Sequence, residues 1–251
     1  PDYVPTDGLV AYYPFNGNAD DESSNSNNCV VNGATLTADR DGNTDSAFSL
    51  DGIDDFIETS TNLISNLYSA WTISLWFKLE NYTADNATYT FDALVSDRRG
   101  NSWQQKHLIM VTDLTFYLGT SNNGATLPTF TDVVSQSIEN EWINLVYIYD
   151  WYNLEKRYYM NGIEMNSNGL EDYPLTLAMQ ETLFGARRRP TNEIHEFFSG
   201  VMDDIGFWNR TLTDCEIQEL YNSQLTSLDN TVTQSGNTLK ANQTGAAYQW
   251  L

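Results

Sequence analysis

Two segments near the ends of this sequence carry oxygen ligands suited to a hard metal ion. The first is Gly8-Leu-Val-Ala-Tyr-Tyr-Pro-Phe-Asn-Gly-Asn-Ala-Asp-Asp-Glu-Ser-Ser-Asn-Ser-Asn-Asn28, an apolar run that empties into a loop of carboxylates, amides and hydroxyls. The second is Phe198-Ser-Gly-Val-Met-Asp-Asp-Ile-Gly-Phe-Trp-Asn-Arg210, which sets two carboxylates inside an apolar run. Calcium takes about six to eight such oxygens at ~2.3–2.6 Å, and an acidic pair within an apolar strand needs a compensating partner. If the two ends meet, they can supply the ligands of one ion. A cysteine follows each segment, Cys29 and Cys215, and one intramolecular bridge between them is the only one the sequence allows.

Nucleophilic and general-acid chemistry have weaker support. Retaining glycosidases need two carboxyls about 5–5.5 Å apart, which sandwich enzymes supply from one strand as Glu-x-Asp-x-x-Glu. The nearest acidic cluster, Glu193-Ile-His-Glu196, lacks that spacing. The two histidines, His107 and His195, lie far apart, and no Gly-x-Ser-x-Gly elbow or phosphate-binding glycine loop is present. The chain reads as non-catalytic.

Sugar recognition uses aromatic faces together with groups that fix hydroxyls. Two loops offer this mixture, Asp97-Arg-Arg-Gly-Asn-Ser-Trp-Gln-Gln-Lys-His107 and Arg187-Arg-Arg-Pro-Thr-Asn-Glu-Ile-His195. The candidate ligand-binding residues are Arg98, Arg99, Trp103, His107, Arg187 and Arg188, suited to a uronate or sulfated polysaccharide with Trp103 stacking. The competing reading is that these arginines pair locally with surrounding carboxylates.

The elements that must position these groups are almost all strands. Runs at 9–15, 47–50, 56–59, 71–79, 91–96, 107–112, 115–118, 142–149, 157–160, 182–185 and 201–208 are rich in β-branched and aromatic residues, with Asn, Gly, Asp and Ser between them. In 71–79 the alternation places Trp71, Ile73, Leu75 and Phe77 on one face, and a mostly polar set with Trp76 on the other. Asn161-Gly162 inside Tyr158-Tyr-Met-Asn-Gly-Ile-Glu-Met165 is a strong hairpin signal. One helix is credible near the C-terminus: Thr213 and Glu216 have capping-box spacing, and Ile217, Leu220 and Tyr221 form one stripe. An antiparallel all-β sandwich over 1–225 follows. Residues 226–251 read as a linker and the start of a truncated second β-domain, too short for a core of its own.

The balance of 34 acidic against 12 basic residues, a net charge of -22, argues against nucleic acid and anionic membranes as partners. With 41% hydrophobic residues the 251-residue chain still holds enough apolar surface for a large core. No apolar run reaches the roughly 20 residues of a spanning helix, so membrane insertion is not expected. The opening Pro1-Asp-Tyr-Val-Pro lacks the features of a signal peptide, and the chain reads as a mature or excised domain whose targeting signals have been removed.

Five motifs in order carry a family likeness: 8–19, Ala47-Phe-Ser-Leu-Asp-Gly-Ile-Asp-Asp-Phe-Ile, Trp71-Thr-Ile-Ser-Leu-Trp-Phe, Tyr159-Met-Asn-Gly, and 198–221. Together they resemble the laminin-G-like, concanavalin A-like jelly-roll domains of secreted Bacteroidetes proteins, over about residues 8–222. The tail from Asn230 resembles the opening of an immunoglobulin-like repeat. The resemblance implies an extracellular, secreted or surface-attached carbohydrate-binding module of a multi-domain protein, with polysaccharide and neighbouring domains as its partners. The alternative is a structural or adhesive spacer without a glycan ligand. The family pattern also implies a structural Ca2+ between the first loop and the last core strand. Carried onto this sequence, its ligands are Asp21, with Asn16 and Asn28, and either Asp203 or Asp204. Neighbours point to opposite faces of a strand, so one is the direct ligand, with Asp203 preferred. Closure of that site would bring Cys29 and Cys215 into bridging range. The loop departs from the family's Asp-x-Ser-Gly-Asn in carrying Ser24 where glycine is usual.

Overall fold

The computed structural model describes residues 3–61, 63, 70–80, 92–97, 105–111, 115–121, 130–133, 137–169, 181–188, 192–224, 232–235 and 238–241, with backbone alone for 97, 105–133, 166–169, 224 and 232–241. In chain order the strands begin with β1 (Leu9–Tyr13), β2 (Cys29–Asn32), β3 (Thr35–Thr37), β4 (Ala47–Asp51), β5 (Phe56–Thr59) and β6 (Ala70–Leu79). Next come β7 (Asp92–Asp97), β8 (Gln105–Val111), β9 (Thr115–Ser121), β10 (Phe130–Val133) and β11 (Trp142–Asp150). They continue with β12 (Glu155–Met160), β13 (Ile163–Gly169), β14 (Thr182–Phe184), β15 (Arg187–Arg188), β16 (Ile194–His195) and β17 (Ser199–Trp208). The helix α1 (Asp214–Gln224) precedes a separate pair, β18 (Val232–Ser235) and β19 (Thr238–Ala241).

Two antiparallel sheets form the sandwich. An eight-stranded sheet runs β13-β12-β11-β6-β17-β4-β3, with β1 also paired to β17, and a seven-stranded sheet runs β10-β9-β8-β7-β14-β5-β2. The alternation in β6 behaves as its sequence requires: Trp71, Ile73, Leu75 and Phe77 are fully buried in the main core. They share that core with Leu145 and Tyr147 of β11, Met202, Ile205 and Phe207 of β17, and Ile57, Leu94 and Phe184 of the opposing sheet. Burying an apolar side chain of this size contributes about 1.5–3 kcal/mol. The β12–β13 turn also follows from its residues, since Asn161 (φ 51°) and Gly162 (φ 73°) both take the left-handed conformation a two-residue hairpin requires.

The outer face of β6 is covered as well. Thr72, Ser74 and Trp76 are buried (0%, 1% and 3% exposed), Thr72 beneath the C-terminal segment and Trp76 beneath Arg40 and Tyr221. Thr72 Oγ1 donates to Arg210 O at 2.8 Å and accepts from Leu212 N at 3.0 Å. Helix α1 then lays Ile217 and Leu220 against Val146, Ile148, Tyr159 and Trp208, a second small core outside the first sheet. Its capping box forms as the sequence implies: Glu216 N donates to Thr213 Oγ1 at 3.2 Å, and Thr213 N donates to Glu216 Oε2 at 2.9 Å.

This placement corrects the expected disulfide. Cys29 and Cys215 are both free thiols. Cys29 belongs to β2 of the seven-stranded sheet and packs against the main core, whereas Cys215 is exposed on the helix that covers the far side of the other sheet. The sandwich separates them, and packed sheets lie about 10 Å apart, beyond the ~7 Å Cα separation a bridge tolerates.

Candidate functional site

The pair Asp203 and Asp204 lies on β17, where the strand pairs with β6. Asp203 faces Trp76 and Gly206 faces Ser74, so three steps on β17 oppose two on β6 and one residue is extra. The extra residue makes a bulge, and Asp204 takes φ 45°. That overturns the expectation that the two side chains diverge. Strict alternation fails at the bulge, and both carboxylates turn to the outer face, toward one guanidinium.

That guanidinium belongs to Arg40, a residue not singled out in the sequence. Arg40 Nη1 lies 2.5 Å from Asp203 Oδ2 and Nη2 lies 2.7 Å from Asp204 Oδ2. Its carbon sits 4.6 Å from the centre of the Trp76 ring, and Trp76 stacks on Tyr221 of α1 at 5.7 Å and 13°. The loop 38–46 between β3 and β4 holds Arg40 in place. Asp39 Oδ1 accepts Asp41 N (2.9 Å) and Asn43 N (2.8 Å), Gly42 takes φ 82°, and Gly17 N donates to Asp45 O at 2.7 Å. One signal in the sequence pointed here: Arg40 is the first basic residue of the chain, and the next is Lys78.

Burial, followed by the adjacent Asp204 carboxylate, holds the Asp203 carboxyl well above the usual carboxylate range, while Arg40 pulls it down. The Arg40 pKa rises: burial works against its charge, but Asp204 and Asp203 outweigh that. Tyr12 donates its hydroxyl to Asp204 Oδ1, and burial followed by that carboxylate raises the phenol.

Above this floor opens a cleft of about 210 Å³, walled by Asn16, Asp39, Asp41, Asn43 and Ser46, with Arg40, Asp203 and Asp204 beneath. Its lining is almost wholly polar. The arrangement can exchange hydrogen bonds with a hydroxylated ligand, since the carboxylates accept and the amides do both.

The expected calcium ligands divide into two groups. Asn16 and Asp203 line this cleft. Asp21 and Asn28 instead build the first loop: Asp21 Oδ1 accepts Tyr12 N (3.0 Å) and Ser23 N (2.8 Å), Asp21 Oδ2 accepts Asn27 N (2.9 Å), and Asn28 Oδ1 accepts Asp21 N (3.0 Å). Both Asp21 oxygens serve backbone donors, and Arg40 faces both members of the acidic pair. The donor set as arranged does not fit the expected ion. A second acidic group, Asp51, Asp54 and Asp55, brings carboxylate oxygens within 4.8 Å of one another, and there too the oxygens hold a turn. Asp51 Oδ1 accepts Ile53 N and Asp55 Oδ2 accepts Asp51 N.

Of the candidate ligand-binding residues, Arg98, Arg99 and Trp103 lie outside the described residues, and for His107 the structure gives only its place in β8. Arg187 is buried at 5% exposure. Arg188 pairs with Glu58 at 2.6 Å and Glu181 at 2.9 Å, so for this arginine the local-pairing reading holds.

Two antiparallel sheets with a helix laid on one outer face define a jelly-roll sandwich of the concanavalin A-like type. The chain belongs to the concanavalin A-like lectin/glucanases superfamily, whose family model (Laminin_G_3) matches residues 51–218. No curated protein matches it. Among solved structures it is similar to the receptor binding domain of botulinum neurotoxin C/D mosaic serotype, at 15% identity and a TM-score of 0.68, covering 88% of this chain and 52% of that one. It is also similar to the binding domain of Paraclostridial Mosquitocidal Protein 1, at 17% identity and 0.68, covering 87% and 52%. A third is the binding domain of botulinum neurotoxin DC in complex with SialylT, at 15% and 0.64, covering 89% and 53%. The chain spans about half the length of these solved chains. At such identities the likeness establishes the fold.

Proposed function

We propose that this domain is a non-catalytic, extracellular carbohydrate-binding module of a larger protein, and that it takes a neutral glycan end or a single sugar ring in the cleft above Arg40. The observation that carries the reading is the cleft: a wall of amides, carboxylates and a hydroxyl over a floor that the Arg40 pairing makes rigid. Fixed donors and acceptors lose little entropy on binding hydroxyls, which is where specificity for a polyol comes from. The volume lies below the ~300–1,000 Å³ of pockets for drug-sized ligands, which suits one ring and not a long chain. The structural neighbours, named as binding domains and in one case solved with SialylT, support a binding role, while the preference for a neutral ligand rests on the charge of the cleft alone.

Even leaving Asp203 aside, Asp39, Asp41 and Asp204 outnumber Arg40 in the cleft, so a uronate or sulfate would meet like charge there. Of the two described arginines expected to hold an anion, Arg188 already holds Glu58 and Glu181 and Arg187 is buried. The test is a glycan array and affinity electrophoresis of the 251-residue chain against laminarin, alginate, carrageenan and pectin. Retention by a neutral glycan that falls at least about tenfold in Asn16→Ala/Asp41→Ala, roughly 1.4 kcal/mol, supports the cleft. Binding to anionic polymers alone, unaffected by that pair, moves the site to the arginine-rich loops. Binding to nothing leaves the spacer role.

A further inference from the structure

We propose that Arg40 is the built-in counter-ion of the Asp203–Asp204 bulge, filling the role expected of calcium, so that this sandwich closes without metal.

All four carboxylate oxygens of the bulge already face a hydrogen donor. Asp203 Oδ1 accepts Asp204 N at 2.8 Å and Asp203 Oδ2 accepts Arg40 Nη1 at 2.5 Å. Asp204 Oδ1 accepts the Tyr12 hydroxyl, and Asp204 Oδ2 accepts Arg40 Nη2 at 2.7 Å. Each oxygen keeps one lone pair beside its hydrogen, and a cation entering from the cleft would meet the Arg40 charge where it needs the carboxylates to itself. The carboxylate expected to serve it in the first loop is employed too, since both Asp21 oxygens accept backbone N–H groups.

The geometry also uses a property of arginine that a metal ion lacks. A guanidinium is planar, with a forked donor edge and an apolar face. Here the edge takes the two carboxylates while the face covers Trp76 at 4.6 Å. Trp76 in turn stacks on Tyr221. One side chain from the 38–46 loop thereby joins the bulge, β6 and the helix. Calcium would neutralise the carboxylates and leave the indole face uncovered. Lysine would supply charge without fork or face. The side chains are nearly dry, at 10% exposure for Arg40 and 3% and 5% for its partners, so screening by salt is slight.

The inference is independent of the glycan reading, because its readouts are melting temperature and metal content. The test compares the full chain with Arg40→Met, Arg40→Lys, Asp203→Asn and Arg40→Met/Asp203→Asn. Each is melted in EDTA and in 10 mM CaCl2, about a thousandfold above a 10⁻⁵ M sensor site, and is assayed for bound calcium by elemental analysis. For the parent chain the two melting curves coincide and bound calcium is far below one per chain. Arg40→Met falls by roughly 10 °C, as loss of one partner of a buried pair does in a chain of this size. Arg40→Lys falls nearly as far, and the arginine loss costs less in the Asp203→Asn background. A parent chain that melts lower in EDTA and recovers with one equivalent of calcium would overturn the proposal, and this arm needs no variant to fold. An Arg40→Met chain with unchanged melting would overturn it equally.

Discussion

Asp203 and Asp204, adjacent in sequence, present both carboxylates to the same side of β17, because Asp204 sits at φ 45° in a bulge opposite Trp76 and Ser74. An unbulged strand would send Asp204 to the core side with Met202, where a charge has no partner, and turn Ile205 out of the core. The bulge is what makes a two-carboxylate grip on Arg40 possible.

The conformation at 204 can be tested apart from the charge. Asn tolerates a left-handed backbone and keeps the side-chain size, whereas a β-branched residue tolerates neither the φ nor the lost partner. Asp204→Asn should cost about 1 kcal/mol and Asp204→Val about 3 kcal/mol or more by urea unfolding. Equal losses would show that φ plays no part.

Ser24 holds φ 75° in the first loop, at the position where the related pattern carries glycine. Glycine reaches that region without a Cβ clash. Ser24→Gly should therefore stabilise the chain by about 1 kcal/mol, roughly 3 °C in Tm. A lower Tm would mean that the serine makes a compensating contact.

Glu216 couples the helix start to pH. The Arg210 guanidinium, at 2.5 and 2.8 Å, lowers its carboxyl to about 2, with help from the Thr213 amide and hydroxyl. The folded state releases that proton more readily than the unfolded chain, whose ordinary value is 4.5. The stabilisation is thus complete above pH 4.5 and is lost as pH falls toward about 2. Glu216→Gln should cost about 1 kcal/mol at neutral pH and flatten the Tm profile across that acid window. A profile as steep as that of the parent chain would assign the acid loss to other carboxylates.

The two thiols should differ in reactivity. Burial pushes the Cys29 thiol up to about 12, which removes the thiolate at neutral pH, whereas Cys215 is exposed on α1. A thiol reagent should label Cys215 within minutes and Cys29 only on unfolding, and dithiothreitol should leave Tm unchanged. A reductant-sensitive Tm would restore the disulfide.

Features set by neighbouring residues were legible in the sequence. Period-two alternation told which side of β6 faces the core, Asn161-Gly162 specified its own hairpin, and Thr213 with Glu216 marked the helix start. Each is local: the signal and the structure it describes lie within a few residues of one another. The site was different. Arg40 meets Asp203 across 163 positions, and no periodicity in either segment announces the partner. The sequence did show that the acidic pair needed compensation, but not whether an ion or a side chain provides it. The bulge that aligns the two carboxylates exists only in the pairing of β17 with β6. Likewise, Cys29 and Cys215 looked like partners because each follows a segment that the other's neighbour was expected to meet. Sheet order decided otherwise, placing one on each side of the sandwich. Away from the bulge, local pattern tells which way a side chain points; strand pairing sets it at Asp204, and the order of strands and the cover of the helix decide what each side chain meets.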